Sequence, residues 1–230
     1  YCAAFISMAK RAAQLARFAM LMKAAQYDRR ALDRDDLRPE VYAMPEPRDF
    51  SNNDLRAYLG DDILDAHGAE VREALDLIAE HGQNVGSALK LDLSDDARDT
   101  VAQCVADWDE KTQSGTARLD EQELHKELRG YLKYILLLTA EYPAVAMNPP
   151  YMGSRQMNEE LKSYIREQYP QSKRDLSAVF LQVAEAKTYP LGRLGMINQQ
   201  SWMFLNSYEN LRNDVIDATL LESMLHLGAN

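Results

Sequence analysis

At about 150 residues per domain, the 230 residues allow one large domain or one domain carrying an insertion, and 46% apolar with 27% charged residues excludes a disordered or collagen-like chain. The net charge of −10 is uneven, with +5 over residues 1–30, −14 over 31–141 and −1 over 142–230. A surface that grips phosphates is basic, so the middle block is excluded as one, and any nucleic-acid grip must come from the ends or from sequence beyond them.

Two cysteines, Cys2 and Cys104, exclude a disulfide framework and fit a reducing, cytoplasmic setting. The longest apolar run, residues 134–140, is too short to cross a bilayer, and no charged-then-apolar leader opens the chain. The chain begins at Tyr1 inside an apolar run, which reads as a piece cut from a longer protein.

In chain order, residues 3–6 read as a short buried strand, with Ser7 as the N-cap of the helix that follows. Residues 8–27 lack Gly and Pro, and Leu15, Phe18, Ala19 and Met22 fall at helical spacing. Pro39, Pro45 and Pro47 mark a loop and a boundary. Residues 54–141 are then expected to be almost entirely helical. Residues 54–81 form one or two helices broken near Gly60 and Gly68, 95–111 another, and 120–141 a third opened by an Asp120/Glu123 capping box. Leu124, Leu128, Tyr131, Ile135 and Leu138 make a stripe that calls for a packing partner within the chain.

After Tyr142 the texture changes. Residues 143–147 predict a buried strand, 155–169 a helix or loop, and Ser172 with Asp175 can cap a helix over 176–187. Residues 193–198 predict a second buried strand after a turn at Gly192, 205–218 an amphipathic helix, and 220–227 a third strand. This alternation points to an α/β fold in which 1–27 and 142–230 belong to one doubly wound parallel sheet, with 28–141 as a helical insertion.

The chemistry-bearing motif is Asn148-Pro149-Pro150-Tyr151, directly after an expected strand. With ten Asn, eight Pro and twelve Tyr, chance gives this tetrapeptide on the order of 6 times in 10,000 such chains. Sites in open α/β sheets lie beyond the carboxyl ends of strands. Asn148 and Pro149 each precede a proline and are pushed to extended backbone, and the two rings remove two N–H groups. The Asn148 side-chain oxygen beside a fixed backbone carbonyl makes two acceptors for one –NH₂ group. An aromatic amine is a poor nucleophile because its lone pair is delocalised. Two acceptors holding both its hydrogens favour a more tetrahedral nitrogen, most strongly in the transition state. Tyr151 offers a flat face for stacking a base.

Asn-Pro-Pro-Tyr after a strand resembles the signature of amino-methyltransferases of the adenine-N6 DNA type. The longer stretches 145–154 (Val-Ala-Met-Asn-Pro-Pro-Tyr-Met-Gly-Ser), 175–180 (Asp-Leu-Ser-Ala-Val-Phe) and 195–205 (Gly-Met-Ile-Asn-Gln-Gln-Ser-Trp-Met-Phe-Leu) resemble more narrowly the PglX family of BREX phage-defence systems. Residues 11–16 with 22–24, and the closing 225–228, are similar to the family as well. The resemblance implies a partial Rossmann-like core that uses S-adenosylmethionine, interrupted by a mainly helical insertion. It implies that Asn148 and the Pro149 carbonyl bind the N6 amino group, that Pro150 stiffens the corner, and that Tyr151 stacks on a base flipped from double-stranded DNA. Sequence specificity would reside in a further, C-terminal target-recognition domain. Protein subunits of a defence complex are further implied partners, and no metal is needed.

The resemblance also implies cofactor contacts at Ile6, Ser7, Gly86 and Ser87, and a base pocket lined by Gln200 and Trp202. Gly86-Ser87 equally suits a turn between helices, and Trp202 a packed core position. The family's Gly-rich cofactor loop has no counterpart among the ten glycines, and the acidic residue that usually ends the second strand is replaced by Ser7, the first acid being Asp28. These 230 residues are therefore expected to bind S-adenosylmethionine poorly on their own. The histidines (67, 81, 125 and 226) show no ligand spacing, and Cys104 reads as a core cysteine. The alternatives are an amino-methyltransferase of protein glutamine or of an RNA base, or a non-catalytic fragment that docks a partner through its acidic helices.

Overall fold

The computed structural model describes residues 4–7, 10–33, 39–226 and 228. The chain forms two compact units, Tyr1–Ala140 and Glu141–Asn230.

The first unit opens with β1 (Ala4–Ser7), α1 (Lys10–Tyr27) and β2 (Glu40–Ala43). β1 and β2 pair in parallel, Ala4 opposite Glu40 and Ser7 opposite Ala43. Parallel neighbours require a crossover, and α1 lies within it, so this is a βαβ unit. Two expectations change here. Ser7 is the last residue of β1 rather than a helix cap. Leu15, Phe18, Ala19 and Met22 are exposed, while Ala13 is buried and Ala16, Met20, Leu21 and Ala24 are half-buried. The side with more alanine lets the helix approach the strands.

The remaining helices of this unit are α2 (Asn52–Leu59), α3 (Asp61–Val85), α4 (Asp95–Gln113) and α5 (Leu119–Thr139). Ser51 caps α2 in a reciprocal box with Asp54, and Ser94 caps α4. Gly60, at φ 81°, separates α2 from α3. Gly68 breaks nothing, because a glycine inside an otherwise well-formed helix costs only about 1 kcal/mol. At α5 the box lies two residues earlier than expected, since the Arg118 N–H donates to Glu121 Oε2 at 2.8 Å. Leu128, Tyr131, Ile135 and Leu138 of the predicted stripe are buried, and α5 packs on α2, α3 and α4.

A polar chain runs through this helical core. Tyr58 Oη lies 2.8 Å from His125 Nδ1, and His125 Nε2 lies 2.9 Å from Asp109 Oδ1. Arg129 donates to both Asp109 oxygens at 2.5 and 3.1 Å. The Tyr58 ring stacks on Trp108 at 5.0 Å and on His125 at 5.8 Å. Cys104 lines an open groove with Leu59, Ile63 and Trp108, and burial, with Asp107 nearby, pushes its thiol up to about 11.

The second unit contains β3 (Tyr142–Met147), α6 (Glu159–Gln168), α7 (Leu176–Ala186), β4 (Thr188–Met196), the short α8 (Ser201–Phe204) and α9 (Glu209–Ala218). β3 and β4 pair in parallel from Ala144–Arg193 to Met147–Met196, again with helices in the crossover. Neither strand is buried as expected. Val145, Met147, Leu194 and Met196 are half-buried on one face, while Ala144, Ala146, Arg193 and Gly195 are exposed on the other. α7 packs against β4, whereas parallel sheets are ordinarily covered on both faces.

A register shift between Tyr142 and Ala144 opens the ladder opposite residues 189–192. A Cβ at Gly192 would sit 2.7 Å from Thr188 Cγ2 and 2.8 Å from the Tyr189 carbonyl. Gly192→Ala is therefore expected to cost about 1–3 kcal/mol, read as a lower denaturation midpoint at unchanged slope; an unchanged midpoint would contradict it. The predicted helix over 205–218 is split by a 3₁₀ turn, Asn206–Tyr208, and begins as α9 only at Glu209. Tyr208 and Leu211 of this segment pack with Ala178 and Leu181 of α7. The third strand expected over 220–227 is absent among its described residues. Leu220, Leu221, Met224 and Leu225 are exposed there, and without a neighbour to satisfy its backbone an apolar run is no strand. Leu227 lies outside the described residues.

Candidate active site

β3 ends at Met147, and the next four residues turn away from its carboxyl end. Asn148 and Pro150 are exposed, Pro149 is buried, and Tyr151 keeps 44% of its surface open. A buried proline here anchors the corner without hiding an N–H group. The Ile197 N–H donates to the Met147 carbonyl at 3.1 Å, which carries the β3–β4 pairing one step past β4 and up to the motif.

The Tyr151 hydroxyl lies 3.2 Å from Asn148 Oδ1 and 3.1 Å from the Ile197 carbonyl, with one proton between these two acceptors. Beyond it, the Leu176 N–H donates to the Met152 carbonyl at 3.0 Å and the Ser154 N–H to the Arg174 carbonyl at 2.7 Å. Gly153 and Asp175 thereby form an antiparallel bridge that ties the loop to the start of α7. Asp175 acts twice: its carboxylate accepts from the Ser177 N–H at 2.8 Å as the N-cap, and its backbone belongs to the bridge. Ser172 instead donates to Gln182 Oε1 at 2.5 Å.

Ile197 and Asn198 were not among the residues singled out for the site. Asn198 donates to the Ser177 carbonyl at 3.2 Å and accepts from the Gln199 N–H at 2.7 Å, which ties the end of β4 to the first turn of α7. The available signal was an amide side chain directly after a strand, a place where Asn often bonds local backbone. Ile197 contributes through its main chain, which a sequence pattern does not reveal.

The remaining predicted residues fall in several places. Gln200 is exposed ahead of α8, and its Oε1 contacts His226 Nε2. Trp202 is half-buried against the cluster of Ala178, Leu181, Tyr208 and Leu211, and its carbonyl accepts from Arg212 at 2.9 Å. Ile6 and Ser7 lie on β1. Gly86 and Ser87 form a 3₁₀ turn with Ala88 that packs against β1, so the fold brings these two pairs into one neighbourhood of the first unit. Gly86 is buried with φ 59° and ψ −134°, a conformation open to glycine.

A proline-stiffened loop after a parallel strand, with an amide oxygen and an open aromatic face, is an arrangement for holding a planar amine. Residues 2–230 match the Eco57I restriction-modification methylases, and the chain belongs to that family. It is similar to the adenine-specific methyltransferase BrxX of Escherichia coli O9:H4 (strain HS), 32% identical over 242 residues that cover 95% of this chain and 19% of that protein. It is likewise similar to the adenine-specific methyltransferase PglX of Lacticaseibacillus casei (strain Zhang), 31% identical over 228 residues that cover 95% of this chain and 18% of that one. The chain thus spans about a fifth of the length of the curated relatives it matches.

Proposed function

We propose that this chain is part of an S-adenosylmethionine-dependent DNA methyltransferase that methylates N6 of a flipped adenine in a BREX-type phage-defence system. The observation that carries this reading is the exposed Asn148 and half-open Tyr151 ring at the carboxyl end of β3. Double-stranded DNA is the substrate, subunits of the defence complex are the protein partners, and the cytoplasm is the setting. Residues 1–27 and 142–230 belong to a Rossmann-like core, with 28–141 inserted into it.

Asn148 Oδ1 and the Pro149 carbonyl accept the two N6 hydrogens and hold the nitrogen lone pair out of conjugation. Tyr151 stacks on the extruded base, worth about 1–3 kcal/mol toward the cost of unstacking it from the duplex. S-adenosylmethionine supplies the methyl group. Of the residues expected to hold it, Gly86 and Ser87 lie against the strand that carries Ile6 and Ser7. The ribose carboxylate is missing, since no acid precedes Asp28.

The test offers labelled S-adenosylmethionine to the full-length protein with duplex DNA, RNA or release-factor protein. Label is expected on adenine N6 of the duplex. Label on RNA or on a glutamine side chain, or no transfer to DNA, would overturn the proposal.

A further inference from the structure

We propose that two side-by-side turns next to the motif, residues 153–156 and 172–175, hold phosphates of the strand that presents the target adenine, through Arg155, Lys173 and Arg174. This inference rests on the reading of duplex DNA as the substrate. A base leaves the stack by rotating about its own backbone, so the flanking phosphates come to lie at the rim of the pocket. A rim that receives them needs cations that carry no counter-charge of their own. The acidic block over residues 31–141 does not provide one.

The two turns meet that need. The Gln156 N–H donates to the Gly153 carbonyl at 2.8 Å, closing a turn with Ser154 and Arg155 at its centre. The Asp175 N–H donates to the Ser172 carbonyl at 3.3 Å, closing a second with Lys173 and Arg174 at its centre. The Ser154 N–H donates to the Arg174 carbonyl at 2.7 Å and Gly153 bridges to Asp175, so the turns are laced to each other. Ser172 is fully buried and donates to Gln182 of α7, which pins the second turn to the fold. The backbone that carries the cations is thus set before DNA arrives. Arg155, Lys173 and Arg174 are exposed, and none of them forms an ion pair among the described residues. Elsewhere in this unit Lys162 pairs with Glu159 at 3.3 Å and Arg193 pairs with Glu222. The adjoining carboxylate, Asp175, is engaged as the helix cap on the Ser177 N–H. Arg155 follows Tyr151 by four residues, so their Cα atoms lie within about 14 Å, the rise of about four nucleotides along one strand. A base stacked on Tyr151 has its nearest phosphates within that span.

The experiment measures how the full-length protein binds a short labelled duplex, taken from DNA that it methylates, between about 50 and 200 mM salt. Each phosphate contact adds about 0.9 to the slope of log affinity against log salt. Arg155→Gln, Lys173→Gln and Arg174→Gln combined are expected to make that slope shallower by about 2.7, so that the parent loses about 40-fold more affinity than the variant across this range. Each replacement alone is expected to remove about 0.9. Arg155→Lys and Arg174→Lys keep the charge and are expected to keep the slope. Lys126→Gln removes an exposed cation from the acidic helix α5, as a control for net charge, and is expected to leave the slope as it is. A merely structural role would lower affinity without changing the slope. A triple variant whose slope is shallower by less than about 1.5 would overturn the inference while leaving the substrate reading intact. An equal change in Lys126→Gln, or in the two lysine variants, would do the same. If the parent neither methylates nor binds duplex DNA, the substrate reading itself fails and this inference falls with it.

Discussion

Replacing Asp109 with alanine is expected to destabilise the first unit by about 2 kcal/mol, because it leaves the buried His125 ring without a hydrogen-bond partner and the part-exposed Arg129 without its counter-charge. Asp109 accepts two hydrogen bonds from Arg129 and lies 2.9 Å from His125 Nε2, and His125 is only 4% exposed. The same ring stacks on Tyr58, whose hydroxyl meets its other nitrogen. One carboxylate therefore holds an ion pair and an aromatic stack in register between α2, α4 and α5. A loss of this size corresponds to roughly 4–8 °C in melting temperature for a chain of this length. A melting temperature within about 2 °C of the parent would contradict it. Burial pushes the Asp109 carboxyl up, but the hydrogen bond and charge of Arg129, with His125, outweigh that and hold it below the usual carboxylate range. A depressed folded value means the contribution is complete above the unfolded value of about 4 and is lost as pH falls below it. Melting followed from pH 7 to pH 3 should show a smaller acid-side decline in Asp109→Ala than in the parent.

Of the local signals in the sequence, Ser7, Gly68 and Ser172 did not act as read, while others held. Asp175 marked a real helix start, Gly60 a real break, and the stripe from Leu128 to Leu138 a buried face, because capping, positive φ and helical spacing act within a few residues. Strand β2 was missed because four residues between Pro39 and Pro45 are too few to display a period of two. Which face of α1 packs was misread because Leu15, Phe18 and Met22 outweigh alanine in apolar area, while close approach to a strand favours the small side chains. Burial of β3 and β4 and a strand over 220–227 were inferred from apolar content, yet burial requires a covering layer and a strand requires a neighbour. At the site, the position of Asn148 to Tyr151 beyond a strand was legible because two prolines constrain their own backbone. The hold of Ile197 and Asn198 on that corner was not, since it depends on the β3–β4 register and on carbonyls that carry no sequence signature.

The largest expected effect belongs to Asn148. Its side chain is exposed, so Asn148→Ala should leave folding intact, within about 0.5 kcal/mol of the parent. Under the proposed function, Asn148 supplies one of two oxygens that hold the amine in the transition state, so its removal should lower the methylation rate by about 100- to 1,000-fold. The decisive measurement is adenine-N6 methylation by the full-length protein carrying Asn148→Ala, with its melting curve recorded alongside. A native melting curve with methylation reduced by two orders of magnitude or more is the predicted result; methylation at the parent's rate would contradict the account.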